Sequence, residues 1–528
     1  LKRFLVVHTW AGLATGIALF IAFYAGALTM LYGPVVAWER WQGAAPTVMD
    51  DAGVDRFLDR VFAEHPSARS DVFVYLPDAT GDVPLVLGPR SDDGERPVWL
   101  PADDGSLVQI DIHEFGEAAD TLNHVHFTLG LPESVGIWLL GVVSLIYGLA
   151  LISGVLIHLP VLIEDLFALR WGHNLKRLWQ DAHNVIGVLS LPFHIIFAVT
   201  GVLLCMLVVL IVGLNFGGME GRAIPLFQKG TALVETREAA GEAVPRPPLA
   251  QLRKLAFDDE PTMQPHYLRL THAGDANGSI ELRGPVPGHL AAESRIAFDA
   301  GGERVVAHAV PGDRHPADLA TRVVAALHFG TFGGALVQGV YLLLGLAGAF
   351  LFYSGNLLWL ESRRKRRQAL QPRHHGLLAQ LTVGTCLGCV LGCAAVLIAA
   401  QAHAHLPALP TGMTAYLIVF GASTLLAFAL APTRGATLLL GASALAYPAA
   451  VLLRWSNDGL TGTAAIWTVD AVLVALGVTA ALLARAAAGR GAGGDPNSVW
   501  TVSGPPRVSP GSDVLPGSDG TTAGGPSR

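Results

Sequence analysis

The sequence predicts a polytopic α-helical membrane protein. Its core is four helices in two parallel repeats, each repeat carries a small α+β outer domain, and about four extra helices follow toward the C-terminus. Three observations predict this. The 528 residues are 52% hydrophobic and only 15% charged, too apolar for an ordinary soluble chain. Eight apolar runs, at about 4–32, 134–159, 185–214, 332–360, 376–401, 413–431, 435–453 and 464–486, are long enough to cross about 30 Å of hydrocarbon as helix. A pattern also recurs: His8, Gly12 and Gly26 of the first run have the same spacing as His183, Gly187 and Gly201 of the third.

In chain order, residues 1–33 form the first spanning helix. It is too long for a signal peptide and has no small-residue cleavage site before Trp38, so it reads as an anchor. Residues 34–123 form the first outer domain: a helix-like stretch from Val54 to Phe62, then DVFVYLP, VPLVLGP and RPVWLPADDGSLVQI, which alternate and turn at Asp/Gly pairs as strands do. Residues 124–160 are the second spanning helix, 161–182 a loop and 183–215 the third helix. The second outer domain, 216–320, repeats the helix-then-strands order with LAQLRKLAF, HYLRLTH, GSIELRG and SRIAFDAGGERVVA. Neither outer domain contains cysteine, so no disulfide staples them. Residues 321–361 are the fourth helix, 362–375 a basic loop and 376–488 four additional helices. The Gly/Pro/Ser-rich stretch 489–528 is expected as a disordered tail.

Basic residues set the orientation. Lys2 and Arg3, then Arg170, Lys176 and Arg177, then Arg363 to Arg367 all fall on one side if the chain alternates, and that side is cytoplasmic. Both termini are therefore expected in the cytoplasm and both outer domains on the opposite side, the periplasm of a bacterium with the chain in its inner membrane.

A second recurrence turns scattered histidines into candidates. His126-Phe127 opens a segment leading to Ser153-Gly154, and His328-Phe329 one leading to Ser354-Gly355. The two offsets differ by one residue, which a break at Leu131-Pro132-Glu133-Ser134 absorbs. His8 and His183 then begin helices on the cytoplasmic side, and His126 and His328 begin helices on the outer side. An ionisable residue within the membrane is by default a functional site, although a single histidine at a helix end also reads as a polar cap. Two imidazoles facing each other across a four-helix bundle are what six-coordinate b-type haem requires. Two haem b groups are expected, with His8, His183, His126 and His328 as axial iron ligands, bound without covalent attachment because CxxCH is absent.

His194 lies eleven residues beyond His183, on nearly the same face of a continuous helix, and Leu19 stands in its place in the first copy. It reads as an alternative ligand, a propionate contact or part of a proton path. His158, which corresponds roughly to Trp359, is a secondary cofactor-binding candidate. His124, His173, His374, His375, His403 and His405 read as solvated. Cys386, Cys389 and Cys393 share one helical face. They read as packing, because small residues line membrane helix contacts and an iron–sulfur cluster wants four thiolates. In the C-terminal helices Asp470 is the main acid, a packing residue or a proton or quinol site without a visible partner.

The HxxxG starts at His8 and His183, the His-Phe pairs at His126 and His328, the closing Ser-Gly pairs and the two outer domains together resemble the PepSY-associated transmembrane family of bacterial iron-regulated membrane proteins, over about residues 1–365. The resemblance implies a haem-containing inner-membrane reductase with PepSY-like outer domains. Such a protein passes electrons to periplasmic ferric chelates, siderophores among them, and so releases iron. The residues exclude other machinery. No GxGxxG follows a strand and no soluble segment is large enough for a nicotinamide or flavin fold, so the donor is expected to be quinol or a cytoplasmic reductase. There is no Walker A motif for an ATP-driven pump, and a net charge of −7 argues against nucleic acid as a partner. Two other function classes stay open: a permease or importer of metal chelates, disfavoured because transporter sites sit near the midplane, and a non-enzymatic membrane anchor whose outer domains bind peptides or partners.

Overall fold

A computed structural model describes residues 2–41, 49–77, 84–91, 96–102, 106–111, 115–161, 175–235, 237–363, 372–403, 405–493 and 499–500. Arg170, His173, the basic run Arg364–Arg367 and nearly all of the C-terminal tail lie outside the described residues.

Among the described residues, eight helices are long and apolar enough to cross a membrane: α1 (Lys2–Thr29), α5 (Glu133–His158), α7 (Leu191–Gly217), α11 (Gly334–Ser362), α12 (Arg373–Ala402), α13 (Gly412–Ala429), α14 (Pro432–Asp458) and α15 (Ala464–Gly493). They fall on the eight apolar runs. Shorter helices complete the set: α2 (Tyr32–Arg40), α3 (Asp51–Glu64), α4 (Glu117–Thr128), α6 (Leu175–Leu189), α8 (Ala223–Thr231), α9 (Leu249–Asp259) and α10 (Pro316–Phe329).

Two helix boundaries differ from expectation, each for a backbone reason. The stretch from His183 to Gly201 is not one helix. α6 ends at Leu189, and α7 begins at Leu191 with Pro192 in its first turn; proline lacks the N–H that a continuous helix would need there. His126 and His328 do not begin helices. Each sits in the last turn of a short helix, α4 or α10, closed by a left-handed residue, Leu129 (φ 62°) or Gly330 (φ 63°), before the next spanning helix starts.

The core packs α1 against α5 and α11, α5 against α7, and α6 against α11. Gly345 of α11 lies so close to α1 that a Cβ there would sit 2.9 Å from Ala27 Cβ, the tight crossing small residues permit in lipid. Outside the bundle, the first segment supplies α3 and strands β1 (Asp71–Tyr75), β2 (Leu85–Leu87), β3 (Pro97–Pro101) and β4 (Leu107–Asp111). The second supplies α9 and β5 (Tyr267–Thr271), β6 (Ser279–Pro285), β7 (Glu293–Phe298) and β8 (Val305–Ala309). The two sets of strands do not stay apart. β1 pairs antiparallel with β5, Phe73 opposite Arg269, giving one eight-stranded sheet in the order β4-β3-β2-β1-β5-β6-β7-β8. Its apolar face (Val72, Val74, Leu268, Leu270, Ile280, Leu282) is covered by Phe57, Leu58 and Val61 of α3 and Leu249 and Leu252 of α9. Ion pairs from Arg246 to Asp55 and Asp59 and from Arg253 to Asp51 cross between the two segments.

The last four spanning helices form a unit docked on α1, α2, α4 and α11. Along α12, Gly384, Gly388 and Gly392 stand against α13: Cβ atoms there would lie 2.9 Å from Ala427, 3.0 Å from Ser423 and 2.9 Å from Tyr416. Cys386, Cys389 and Cys393 are fully buried in the core. Asp470 of α15, which had no visible partner in the sequence, is held by Arg454 of α14 (Nη2 at 2.5 Å, Nε at 3.2 Å) and accepts from the indoles of Trp38 (2.8 Å) and Trp455 (2.9 Å). Those four bonds occupy both carboxylate oxygens, so the residue is a structural tie between the C-terminal unit and α2. Arg454 is 0% and Asp470 3% exposed, and removing one member of such a pair strands the other charge at about 3–5 kcal/mol. Asp470→Leu is therefore expected to lower the thermal unfolding midpoint in detergent sharply. Asp470→Leu with Arg454→Leu should recover most of it, and a double variant no more stable than the single one would refute the stranded-charge explanation.

Candidate functional site: two histidine pairs

The histidine rings meet in two layers. His8 of α1 and His183 of α6 have ring centroids 6.2 Å apart, and His126 of α4 and His328 of α10 have centroids 6.0 Å apart. Each ring is held through Nδ1 by a neighbouring element. His8 Nδ1 is 2.8 Å from the carbonyl of Ala150 on α5, His126 Nδ1 2.7 Å from that of Ala22 on α1, and His183 Nδ1 3.2 Å from that of Leu351 on α11. A carbonyl only accepts, so these Nδ1 atoms carry the proton. His328 Nδ1 is 2.8 Å from Thr200 Oγ1, whose own proton goes to Ile196 O at 2.7 Å; Thr200 accepts and His328 donates. All four rings are thus assigned the same tautomer, with the Nε2 lone pair free, as in imidazoles that ligate metals.

Among the described residues no three His, Cys, Asp or Glu side chains converge to hold a metal ion, so each layer offers two nitrogens. That donor set suits a metal whose other ligands come from a planar macrocycle. Two metal–nitrogen bonds of about 2 Å, plus roughly 1 Å from each nitrogen to its ring centre, put the centroids about 6 Å apart, as observed. The glycines of the recurring motif leave room. A Cβ at Gly12 would meet nothing within 4 Å, and one at Gly187 only Leu351 Cδ1 at 3.8 Å. Cβ atoms at Gly154 and Gly355 would press on His8 Cε1 at 3.0 Å and His183 Cε1 at 3.3 Å, and one at Gly26 on His126 Nδ1 at 2.5 Å. The residues present therefore fit b-type haem in both layers.

The other candidates join neither ring pair. His194 is fully buried, with Nδ1 2.6 Å from Tyr147 OH and, among the described residues, no hydrogen-bond partner at Nε2. His158 ends α5, in its last turn, close enough to His8 and His183 to interact electrostatically with both. His375, expected to be solvated, is 6% exposed: in the first turn of α12 it packs on Trp359 of α11 at 5.5 Å. His124 bonds Thr128, His405 bonds Asn457, and His374 and His403 are exposed.

Sequence reasoning missed the residues that place the helix of His126. Glu39 of α2 accepts from the backbone N–H of Ala118 in the first turn of α4 (3.1 and 3.2 Å), and Glu117 accepts from Thr411 Oγ1 at 2.9 Å. No local signal marked either contact: Glu39 lies in the last turn of α2, 79 residues from the N–H it caps, and Glu117, in the first turn of α4, bonds the hydroxyl of the distant Thr411.

A family model described as the PepSY-associated TM region matches residues 5–362. An uncharacterized protein of Pseudomonas aeruginosa is 29% identical over 373 residues, covering 65% of this chain and 89% of the relative. The matched family region takes in both histidine pairs and the sheet, and ends before the C-terminal four-helix unit.

Burial pushes the Glu39 carboxyl up from 4.5 to about 7, with Glu117 adding to the rise against the Ala118 N–H. A carboxyl raised on folding contributes stability that is full below its unfolded value and is lost as pH rises through the folded one. The thermal midpoint is therefore expected to fall between about pH 4.5 and 7 from this group. Glu39→Gln should flatten that part of the profile, and an unaltered slope would show that Glu39 does not carry it.

Proposed function

We propose, because this chain belongs to the family of the PepSY-associated TM region, that its two histidine pairs hold two haem b groups and that it is an inner-membrane reductase carrying electrons outward. The observation that carries the reading is the pairing itself: four imidazoles in two layers, ring centres 6.2 and 6.0 Å apart, with every Nδ1 engaged. Haem, when bound, supplies a one-electron couple in each layer. The chain's residues do the rest. His8 and His183 bind near the cytoplasmic face and His126 and His328 near the periplasmic one. Ala150, Leu351, Ala22 and Thr200 orient their rings, and the bundle excludes water between the layers.

In this reading residues 1 to about 360 are two copies of helix, outer domain and helix, related by a pseudo-two-fold axis along the membrane normal. The equivalent placement of Ala150 and Leu351, each three residues before its Ser-Gly pair and each holding an inner histidine, supports the repeat. So does the junction of β1 with β5 at the middle of the sheet. Both termini face the cytoplasm, and quinol or a cytoplasmic reductase is the donor.

The acceptor is a ferric chelate of the siderophore class. Such a molecule is too polar to enter the bundle, so it docks outside. The sheet face turned away from α3 and α9 carries Tyr75, Tyr267, Arg269 and Arg283, and reaches the helix of His328 through Arg295, 2.7 Å from Asp318 of α10. Reduction releases the metal because ferrous iron is held less strongly by oxygen donors.

Purified from haem-replete cells, the protein is expected to show a low-spin bis-imidazole haem spectrum, and His126→Ala or His328→Ala to lose about half the haem. A colourless protein, or haem content unaffected by both substitutions, refutes the assignment. Chemically reduced protein is expected to be reoxidised by a ferric hydroxamate chelate. In vesicles, His8→Ala or His183→Ala should abolish transfer from the cytoplasmic face while leaving the remaining outer haem oxidisable. No reoxidation by ferric chelates, or normal transmembrane transfer without the inner pair, defeats the outward-reductase reading.

A further inference from the structure

His308 of β8 has a carboxylate at each ring nitrogen. Nδ1 lies 2.8 Å from Asp259 Oδ2 and Nε2 lies 3.1 Å from Asp313 Oδ2. Asp259 is the last residue of α9, and Asp313 closes the turn that leads into α10. One side chain therefore joins the edge strand of the sheet, the helix that covers the sheet and the turn before the helix of His328.

This geometry specifies a protonation state. A carboxylate oxygen only accepts, so both contacts are hydrogen bonds only when both ring nitrogens carry protons and the ring is an imidazolium. In the neutral ring one nitrogen presents a lone pair to a carboxylate, and that contact turns repulsive. The two carboxylates differ in freedom. The Asp259 side chain is 20% exposed and that of Asp313 81%, so Asp313 is the one that can swing into solvent.

The other charges on the elements around the ring are engaged elsewhere. On β7 its cross-strand neighbour is Ile296, and the adjoining Arg295 bonds Thr231 O and Asp318 on the opposite face of the sheet. On α9 Asp258 pairs with Lys254, and in the turn Arg314 donates to the carbonyls of Val310 and Glu293. Asp313 raises the His308 pKa above the ordinary 6.5, against the effect of burial, and Asp259 adds to the rise.

The turn that Asp313 closes is small and depends on its pin. Val310 and Asp313 exchange backbone hydrogen bonds of 3.2 and 3.0 Å around Gly312, whose φ is 88°. Pro311 and Gly312 form one wall of a cavity of about 300 Å³, opposite Leu290 of the β6–β7 hairpin and Leu319 and Val323 of α10.

We propose that His308 is a proton-operated latch: as an imidazolium it clamps the turn to β8 and α9, and on losing its Nε2 proton to solvent it keeps Asp259, releases Asp313 and frees the turn with its wall of the cavity. Nδ1–H stays on Asp259 throughout. The latch depends neither on haem nor on the direction of electron flow. A histidine whose pKa is raised on folding contributes stability that is full below its unfolded value and is lost as pH rises through the folded one. The latch is thus closed in acid and open in alkali.

The test is hydrogen–deuterium exchange of the full detergent-purified protein, read by mass spectrometry between about pH 5 and 8 and corrected for the intrinsic pH dependence of amide exchange. Protection of the Val310 and Asp313 amides is expected to fall about two- to fivefold across that range, the effect of one exposed ion pair, while the β5–β6 ladder keeps its protection. His308→Gln retains an N–H for Asp259 and should hold the turn at its alkaline level at every pH. Asp313→Asn should flatten the profile as well. Slow exchange of the His308 Cε1–H, which reports the ring's own pKa, should place that pKa lower in Asp313→Asn than in the wild type. Wild-type protection that is constant or rises with pH would overturn the latch, as would an equal fall in His308→Gln or a His308 pKa unmoved by Asp313→Asn. Should His308→Gln fail to fold, the wild-type profile and Asp313→Asn decide the question alone.

Discussion

An imidazole inside an apolar bundle has two nitrogens to satisfy, and the protein satisfies one of them from a neighbouring element. Every paired histidine uses Nδ1 to reach another helix: His8 to α5, His126 to α1, His183 to α11 and His328 to α7. These bonds are part of what holds the bundle together, because a buried polar group left unpaired is unfavourable. They also fix the tautomer, since placing the proton on Nδ1 leaves the Nε2 lone pair available. Structural satisfaction and ligand competence are the same hydrogen bond.

The short helices that carry the second pair show how the scaffold meets this constraint. α4 and α10 end in left-handed residues and hand the chain to a spanning helix, so His126 and His328 reach the bundle axis from outside the spanning segments. α10 is tied upward to the sheet by Arg295 and Asp318. α4 is tied sideways, to α2 by Glu39 and to the C-terminal unit by Glu117 and Thr411. That unit lies beyond the family match, yet through Asp470 and Trp38 it clamps α2. The extra helices therefore act on the same end of the bundle as the sheet, through α2 and α4.

The eight-stranded sheet adds a rigid cap. Because β1 and β5 are central, the two segments cannot separate without losing a full antiparallel ladder and the shared apolar layer under α3 and α9. One sheet spans what the chain presents as two insertions, and its polar face is tied to α10 through Arg295 and Asp318.

Local properties were legible in the sequence alone. Hydrophobic length located all eight spans, since crossing hydrocarbon is a condition on one segment at a time. Alternation located the strands, and the recurring His, Gly and Ser-Gly spacings singled out the four histidines that meet in pairs. Tertiary structure decided whatever joins residues far apart in the chain: the edge-to-edge junction of β1 with β5, the burial of His375, and the Arg454 partner that turns Asp470 from a possible proton site into a tie. It also decided what local breaks do to a pattern, as at Ser190, where Pro192 divides the expected helix, and at Leu129 and Gly330. The tautomer of each histidine belongs to this second class. His194 and His183 look alike in sequence, and only the atom opposite Nδ1, a phenol in one case and a carbonyl in the other, makes one a donor and leaves the other free to bind a metal.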